Sequence, residues 1–263
     1  MPNTSEFAEL GEGIGNATAV IRNNAASAGL DVAVPTCPGW TMRDLVTHQG
    51  LVHRWATAIL RAAEPRPDDR VEAEAAAAAD LLQWLDDGMV DLLNALAGSP
   101  ADLDVWFFLP DAPAPRQAWA RRQCHETSVH AIDAMAARLG RVPRADELWI
   151  APALARDGID ELLLGFAPRP KYNPRSDRPA EIAVITEDGL GAWSLAIGPD
   201  GVSARAGTAT APDATIGGTA AAIYAGLWNR GDELAVDGDA ARGTASEWCG
   251  SRDFRPRLGY VRP

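Results

Sequence analysis

Lysine is all but missing from this 263-residue chain. Lys171 is the only one, and the other basic residues are scattered arginines. Lysine and arginine together number 24 against 36 acidic residues, for a formal charge of −12. No basic stripe is present, and an acidic surface repels phosphate backbones, so nucleic acid is not an expected partner. Cysteine is scarce as well. Cys37, Cys124 and Cys249 are an odd set without motif spacing, which argues against a disulfide framework and for a reducing compartment. Long apolar runs are absent. Nothing approaches the roughly 18–20 residues of a membrane span. The first six residues, Met-Pro-Asn-Thr-Ser-Glu, have neither the basic nor the apolar region of a secretory leader. The expectation is a cytoplasmic protein.

What is present is 47% hydrophobic residues, enough to bury a core in one large or two modest domains. The first 145 or so residues read as helical. A first helix is expected over about 6–29. It contains Gly11, Gly13 and Gly15, but no strand precedes them, so they do not read as a nucleotide loop. A second begins after Pro38-Gly39-Trp40, where Thr41 and Asp44 have capping-box spacing, and is stopped after about residue 63 by Glu64-Pro65-Arg66-Pro67. Leu45, His48, Val52, Trp55 and Ile59 recur at helical spacing and define its inner face. A third helix is expected over about 71–97, and a fourth over about 116–139 with Gly140 as its C-cap. Four helices with no intervening strand predict a four-helix bundle.

The rest of the chain has a different texture. A connecting helix is expected over 149–166, then a turn-rich stretch from Pro168 to Pro174. Short alternating runs follow: Ile182, Val184 and Thr186; then Trp193, Leu195 and Ile197, joined across Asp188-Gly189. Further strands are expected at 202–206, 214–216 and 234–236, with helices over 219–228 and 239–248. The domains are thus residues 1–145, a helical bundle, and 146–263, a small α+β domain.

The chain has four histidines, and they fall as pairs on two helices: His48 and His53 on the second, His125 and His130 on the fourth. Residues five apart on a helix diverge by about 140°, so neither pair can share a ligand. Glu126 and His130 are four apart and share a face. One histidine from the second helix and a Glu/His pair from the fourth can therefore converge on a metal. Three such ligands leave a position open, the pattern of catalytic rather than structural zinc, although the donors alone also suit other divalent metals. Periodicity does not settle the set. His125 lies nearer the apolar face than His130. A solvated surface is the simpler account of the polar stripe formed by Gln123, Glu126, His130 and Asp133. His125-Glu126-x-x-x-His130 is not the metalloprotease pattern, whose histidines are four apart. No serine or cysteine has the surroundings of a covalent nucleophile.

Val34-Pro35-Thr36-Cys37-Pro38-Gly39-Trp40-Thr41-Met42-Arg43-Asp44-Leu45-Val46-Thr47-His48, continuing to His53-Arg54-Trp55, resembles the N-terminal domain of the mycothiol-dependent maleylpyruvate isomerase family. The stretch from His125 to Ala134 is similar to that family's second metal motif. Asp188-Gly189 with Trp193, Asp213-Ala214-Thr215, Leu227-Trp228-Asn229-Arg230 and Val236-Asp237-Gly238-Asp239 resemble its C-terminal domain. The resemblance covers nearly the whole chain. It implies a DinB-like four-helix bundle followed by a small α+β domain similar to sterol-carrier folds. It implies His48, Glu126 and His130 as zinc ligands, Asp133 as a cofactor-binding residue, mycothiol as thiol cofactor, and Arg230 as the arginine that holds an acidic substrate. Ala131, Met135 and Asn229 depart from the residues common at those places in the family.

The resulting expectation is a zinc- and mycothiol-dependent transferase or isomerase acting on a small electrophile. Two rivals are kept: a metal-dependent hydrolase that activates water without a thiol, and a non-enzymatic binding protein for a small ligand, with a vestigial metal site.

Overall fold

A computed structural model describes residues 6–109, 112–169 and 175–238. The expected helix at 239–248, Cys249, the tail arginines Arg252, Arg255 and Arg257, and the loop around Lys171 lie outside the described residues. The chain divides between Pro143 and Arg144 into two units.

In the first unit, α1 (Phe7–Ala28) opens on a reciprocal cap between Glu6 and Glu9. Leu10, Ile14, Ala17, Ile21 and Ala25 recur at helical spacing and are buried, and α1 packs against α5. Gly11, Gly13 and Gly15 are inside this helix. α2 (Met42–Leu60) begins on the Thr41–Asp44 capping box. The Thr41 amide and hydroxyl both donate to Asp44 Oδ2, each at 2.7 Å. These bonds hold the Asp44 carboxyl below its usual range.

The single helix expected over 71–97 is in fact two, α3 (Asp68–Ala77) and α4 (Leu81–Gly98). The break has a local cause. Asp80 is extended, and its Oδ1 accepts from the amides of Leu82 (2.9 Å) and Gln83 (3.1 Å), starting a new helix. Upstream, the alanine run has helix propensity but little to bury. Val71 and Ala75 are the buried residues of α3, so packing does not enforce continuity. α5 (Pro115–Leu139) has Pro115 in its first turn and ends on Gly140 at φ +67°, a left-handed C-cap. Helices α1, α2, α4 and α5 make the four-helix bundle, with α3 alongside α2 and α4. Gly50 lets α2 and α4 approach closely, because the Trp84 ring occupies the space a Cβ there would need. The Arg54 guanidinium lies 3.7 Å from the centroid of that ring.

α5 is the core helix. From residue 118 to 137 every side chain except that of Arg121 is buried, and a helix buried all round is an interior element. The polar stripe of Gln123, Glu126, His130 and Asp133 is therefore not solvated: these residues are 1%, 8%, 5% and 0% exposed.

In the second unit, α6 (Pro152–Asp160) passes directly into one π-helical turn, Glu161–Phe166. The connecting helix thus starts three residues later than expected, with Pro152 in its first turn. Strands β1 (Ala180–Thr186), β2 (Ala192–Gly198), β3 (Gly201–Ala206), β4 (Ala214–Gly218) and β5 (Ala235–Gly238) form one sheet in the order β3-β2-β1-β4-β5. β1 and β4 are parallel, and the other pairs antiparallel. Ile182 lies opposite Leu195, and Val184 opposite both Trp193 and Ile216. All five are buried, so alternation places one apolar face of the sheet inward. The Trp193 indole N–H reaches Asp160 Oδ1 of α6 at 2.6 Å. α7 (Ala220–Leu227) is capped by the Thr219 hydroxyl. Asn229 follows it at φ +58°, a left-handed conformation that asparagine tolerates better than most side chains. No helix among the described residues is long and apolar enough to cross a membrane.

Candidate metal centre

α2 and α5 run antiparallel, with His48 facing Glu126 and His130 and, seven residues along each helix, Trp55 meeting Trp119 at 5.0 Å. Trp106, Phe107 and Phe108 extend that aromatic cluster. Between Val34 and Trp40 the chain makes a tight turn, closed by Val34 N–H to Trp40 O (2.9 Å), with Gly39 at φ +89°. The turn delivers Cys37 and Trp40 to the same end of the two helices.

His48 Nε2 is 3.6 Å from Glu126 Oε1, and His130 Nε2 is 3.4 Å from that same oxygen. The three ligand atoms all lie within 4.8 Å of one another. Zinc bonds of about 2.0–2.1 Å at tetrahedral angles separate neighbouring donors by roughly 3.3–3.5 Å, so the spacing suits one shared ion. Two further observations fit a metal. His48 Nε2 is buried with no hydrogen-bond partner, an arrangement that costs stability unless something else meets the lone pair. His130 Nδ1 is 2.9 Å from Asp133 Oδ2, which leaves its Nε2 as the free donor, as in carboxylate–histidine–metal arrangements.

The surroundings complete the centre. Asp133 is fully buried, and its Oδ2 also accepts from Cys37 Sγ at 3.3 Å. Arg122 Nη2 is 3.3 Å from Glu126 Oε2. The Trp40 ring stacks on His130 (centroids 6.0 Å, 18°) and tilts over His48 (5.0 Å, 56°). Burial alone pushes the Glu126 carboxyl up, but His130, His48 and Arg122 outweigh it and hold it well below the ordinary glutamate range. Burial pulls His48 down, opposed in part by Glu126. Burial pulls His130 down as well, but Asp133 and Glu126 prevail and raise it to about 9. Cys37, His130 and Asp133 form a second close group. Hydrogen bonds already join its members, so it does not need an ion to explain it.

Of the sequence candidates, His48, Glu126, His130 and Asp133 are brought together here. His125 is buried elsewhere on α5, and His53 faces into the bundle. Arg230 belongs to the second unit, where its Nη1 donates to Trp228 O at 2.7 Å. Trp40 and Arg122 are not singled out from sequence, and Cys37 is weighed there only as a ligand or nucleophile and set aside. Arg122 was within reach of that reading, since it precedes Glu126 by four residues on one helix face. Cys37 and Trp40 sit in the Pro-flanked turn just ahead of the His48 helix.

Residues 13–135 match the Mycothiol maleylpyruvate isomerase N-terminal domain, and residues 153–244 match the MDMPI C-terminal domain. No functionally curated protein matches the chain. Among solved structures, a mycothiol-dependent maleylpyruvate isomerase aligns over 89% of this chain and 93% of its own, with a TM-score of 0.62 at 12% identity. A histidine-to-alanine mutant of mycothiol-dependent maleylpyruvate isomerase aligns over the same shares, with a TM-score of 0.60 at 11% identity. At such identities the structural likeness is one of fold, whereas the two domain matches, in order along most of the chain, carry the relationship: the chain belongs to the mycothiol-dependent maleylpyruvate isomerase family.

Proposed function

We propose that this protein is a mycothiol-dependent isomerase or S-transferase whose divalent metal, zinc by donor chemistry, is held by His48, Glu126 and His130. The observation that carries the reading is the meeting of three ligand atoms within 4.8 Å, one of them the otherwise unbonded His48 Nε2. A metal bound with one position open supplies a Lewis acid that keeps a coordinated thiol deprotonated at neutral pH. The protein's own groups do the rest. Glu126 brings the one negative charge among the ligands, and Arg122 steadies its second oxygen. Asp133 acts through His130, fixing its tautomer and ring orientation. Trp40 walls the two histidines from solvent. Arg230 takes the substrate-holding role that family membership implies. Cys37 and Cys124, neither of them in a disulfide, suit a cytoplasmic location.

The test is turnover of maleylpyruvate and of a panel of small electrophiles by the full chain. Each is assayed with and without mycothiol, before and after chelation. Activity that needs both thiol and metal supports the proposal. Ester or amide hydrolysis with no thiol present would move the assignment to a hydrolase. Arg230→Ala is expected to raise KM for acidic substrates while leaving the fold intact.

A further inference from the structure

On the bundle side of the metal ligands, α2 and α5 are joined by a second polar cluster that the proposed chemistry does not use. Gln49 follows His48 and Thr127 follows Glu126, each turned about 100° around its helix from the ligand. Gln49 Nε2 donates to Thr127 Oγ1 at 3.1 Å and lies 2.9 Å from His53 Nε2. His53 Nε2 is 3.0 Å from Thr127 Oγ1. The Thr127 hydroxyl points its own hydrogen at Gln123 O, 2.7 Å away, so its oxygen accepts from the Gln49 amide of α2. Gln49, His53 and Thr127 are all 0% exposed. Burial keeps the His53 ring neutral, its pKa lowered to about 3, so Nε2 can accept from the Gln49 amide.

Such a cluster is a costly way to fill a core. Gln49 Oε1 and His53 Nδ1 are buried without hydrogen-bond partners, where apolar side chains would carry no such penalty. What hydrogen bonds add is registry. Apolar helix faces can settle in more than one packing, whereas a donor and acceptor across two helices are satisfied in one. Register matters at this level of the bundle, because metal bonds tolerate only about 0.2 Å of error.

We propose that Gln49, His53 and Thr127 are positioning residues for the metal centre: the Gln49 amide, held by His53 on α2 and bonded across to Thr127 on α5, fixes the register at which His48 meets Glu126 and His130. This rests on the reading of those three residues as metal ligands.

The test is Co²⁺ titration into the metal-free full chain, read as affinity and as the visible absorption spectrum of the bound ion. Thr127→Val and Gln49→Leu are expected to weaken binding about 10–100-fold, the usual cost of losing support behind a ligand, and to shift the absorption bands. Thr127→Ser, which keeps the hydroxyl, is expected to restore both. Thr57→Val is the control. Thr57 is buried on α2, but its hydroxyl bonds back to His53 O within that helix. It should cost stability without moving affinity or spectrum. The proposal is overturned if Thr127→Val and Gln49→Leu bind Co²⁺ as wild type does, or if Thr57→Val weakens binding equally. If one of the two core variants does not fold, the other is read alone. If neither folds, the cluster serves folding and the proposal fails. Wild type that takes up no Co²⁺ would instead refute the ligand set.

Discussion

His130 Nδ1 lies 2.9 Å from Asp133 Oδ2, three residues along the same helix and with no solvent reaching the carboxylate. The pair commits His130 to one tautomer and aims its other nitrogen at Glu126. Asp133→Ala is accordingly expected to lower metal affinity about 10–100-fold while retaining one site per chain. Asp133→Asn, which still offers an acceptor, should fall between that variant and wild type. Competition against a chelator of known affinity measures both. Equal affinity in all three proteins would show that Asp133 does not orient the ligand.

The close approach of α2 and α4 depends on Gly50, whose missing side chain leaves room for the Trp84 ring. Gly50→Ala improves helix propensity but overfills the contact. A net loss of about 1–3 kcal/mol is expected from overpacking, read as a lower midpoint in chemical denaturation. A variant as stable as wild type would mean that the ring moves aside freely.

His53 is buried neutral, with its pKa lowered to about 3 by burial and, secondarily, by Arg54. In the unfolded chain it titrates near 6.5. Between these values the unfolded state binds a proton that the folded state does not. The contribution of His53 is therefore complete above pH 6.5 and is lost as pH falls toward 3, by up to about 1.4 kcal/mol per pH unit. Stability of wild type against His53→Gln across that window should show this difference in slope. Parallel curves would contradict it.

Much of this architecture was legible in the sequence because it follows local rules. Thr41 and Asp44 mark the start of α2, Gly140 the end of α5, and the alternation around Val184 and Leu195 the sheet. His48 on an apolar stripe, with Glu126 and His130 four apart, outlined the candidate group that the fold brings together. What was not legible is what depends on tertiary packing. The polar face of α5 reads as solvated, since nothing in its own sequence says that every side of the helix is covered. Period alone favoured His125 over His130, and family resemblance made the choice. The alanine run concealed the break at Asp80, because propensity reports what a helix permits and not what packing requires. Cys37 and Trp40 reach the centre through a turn whose path could not be read from spacing.

The proposed function requires that His48, Glu126 and His130 hold a metal that binds a thiol. It is tested most directly by metal analysis of purified wild type beside His48→Ala and Glu126→Ala, with mycothiol titrated into each. About one zinc per chain in wild type is the expected result, with metal and mycothiol binding lost together in both variants. Wild type that carries no metal and takes none up, or variants that keep metal and thiol binding unchanged, would rule out these three residues as the thiol-binding metal site.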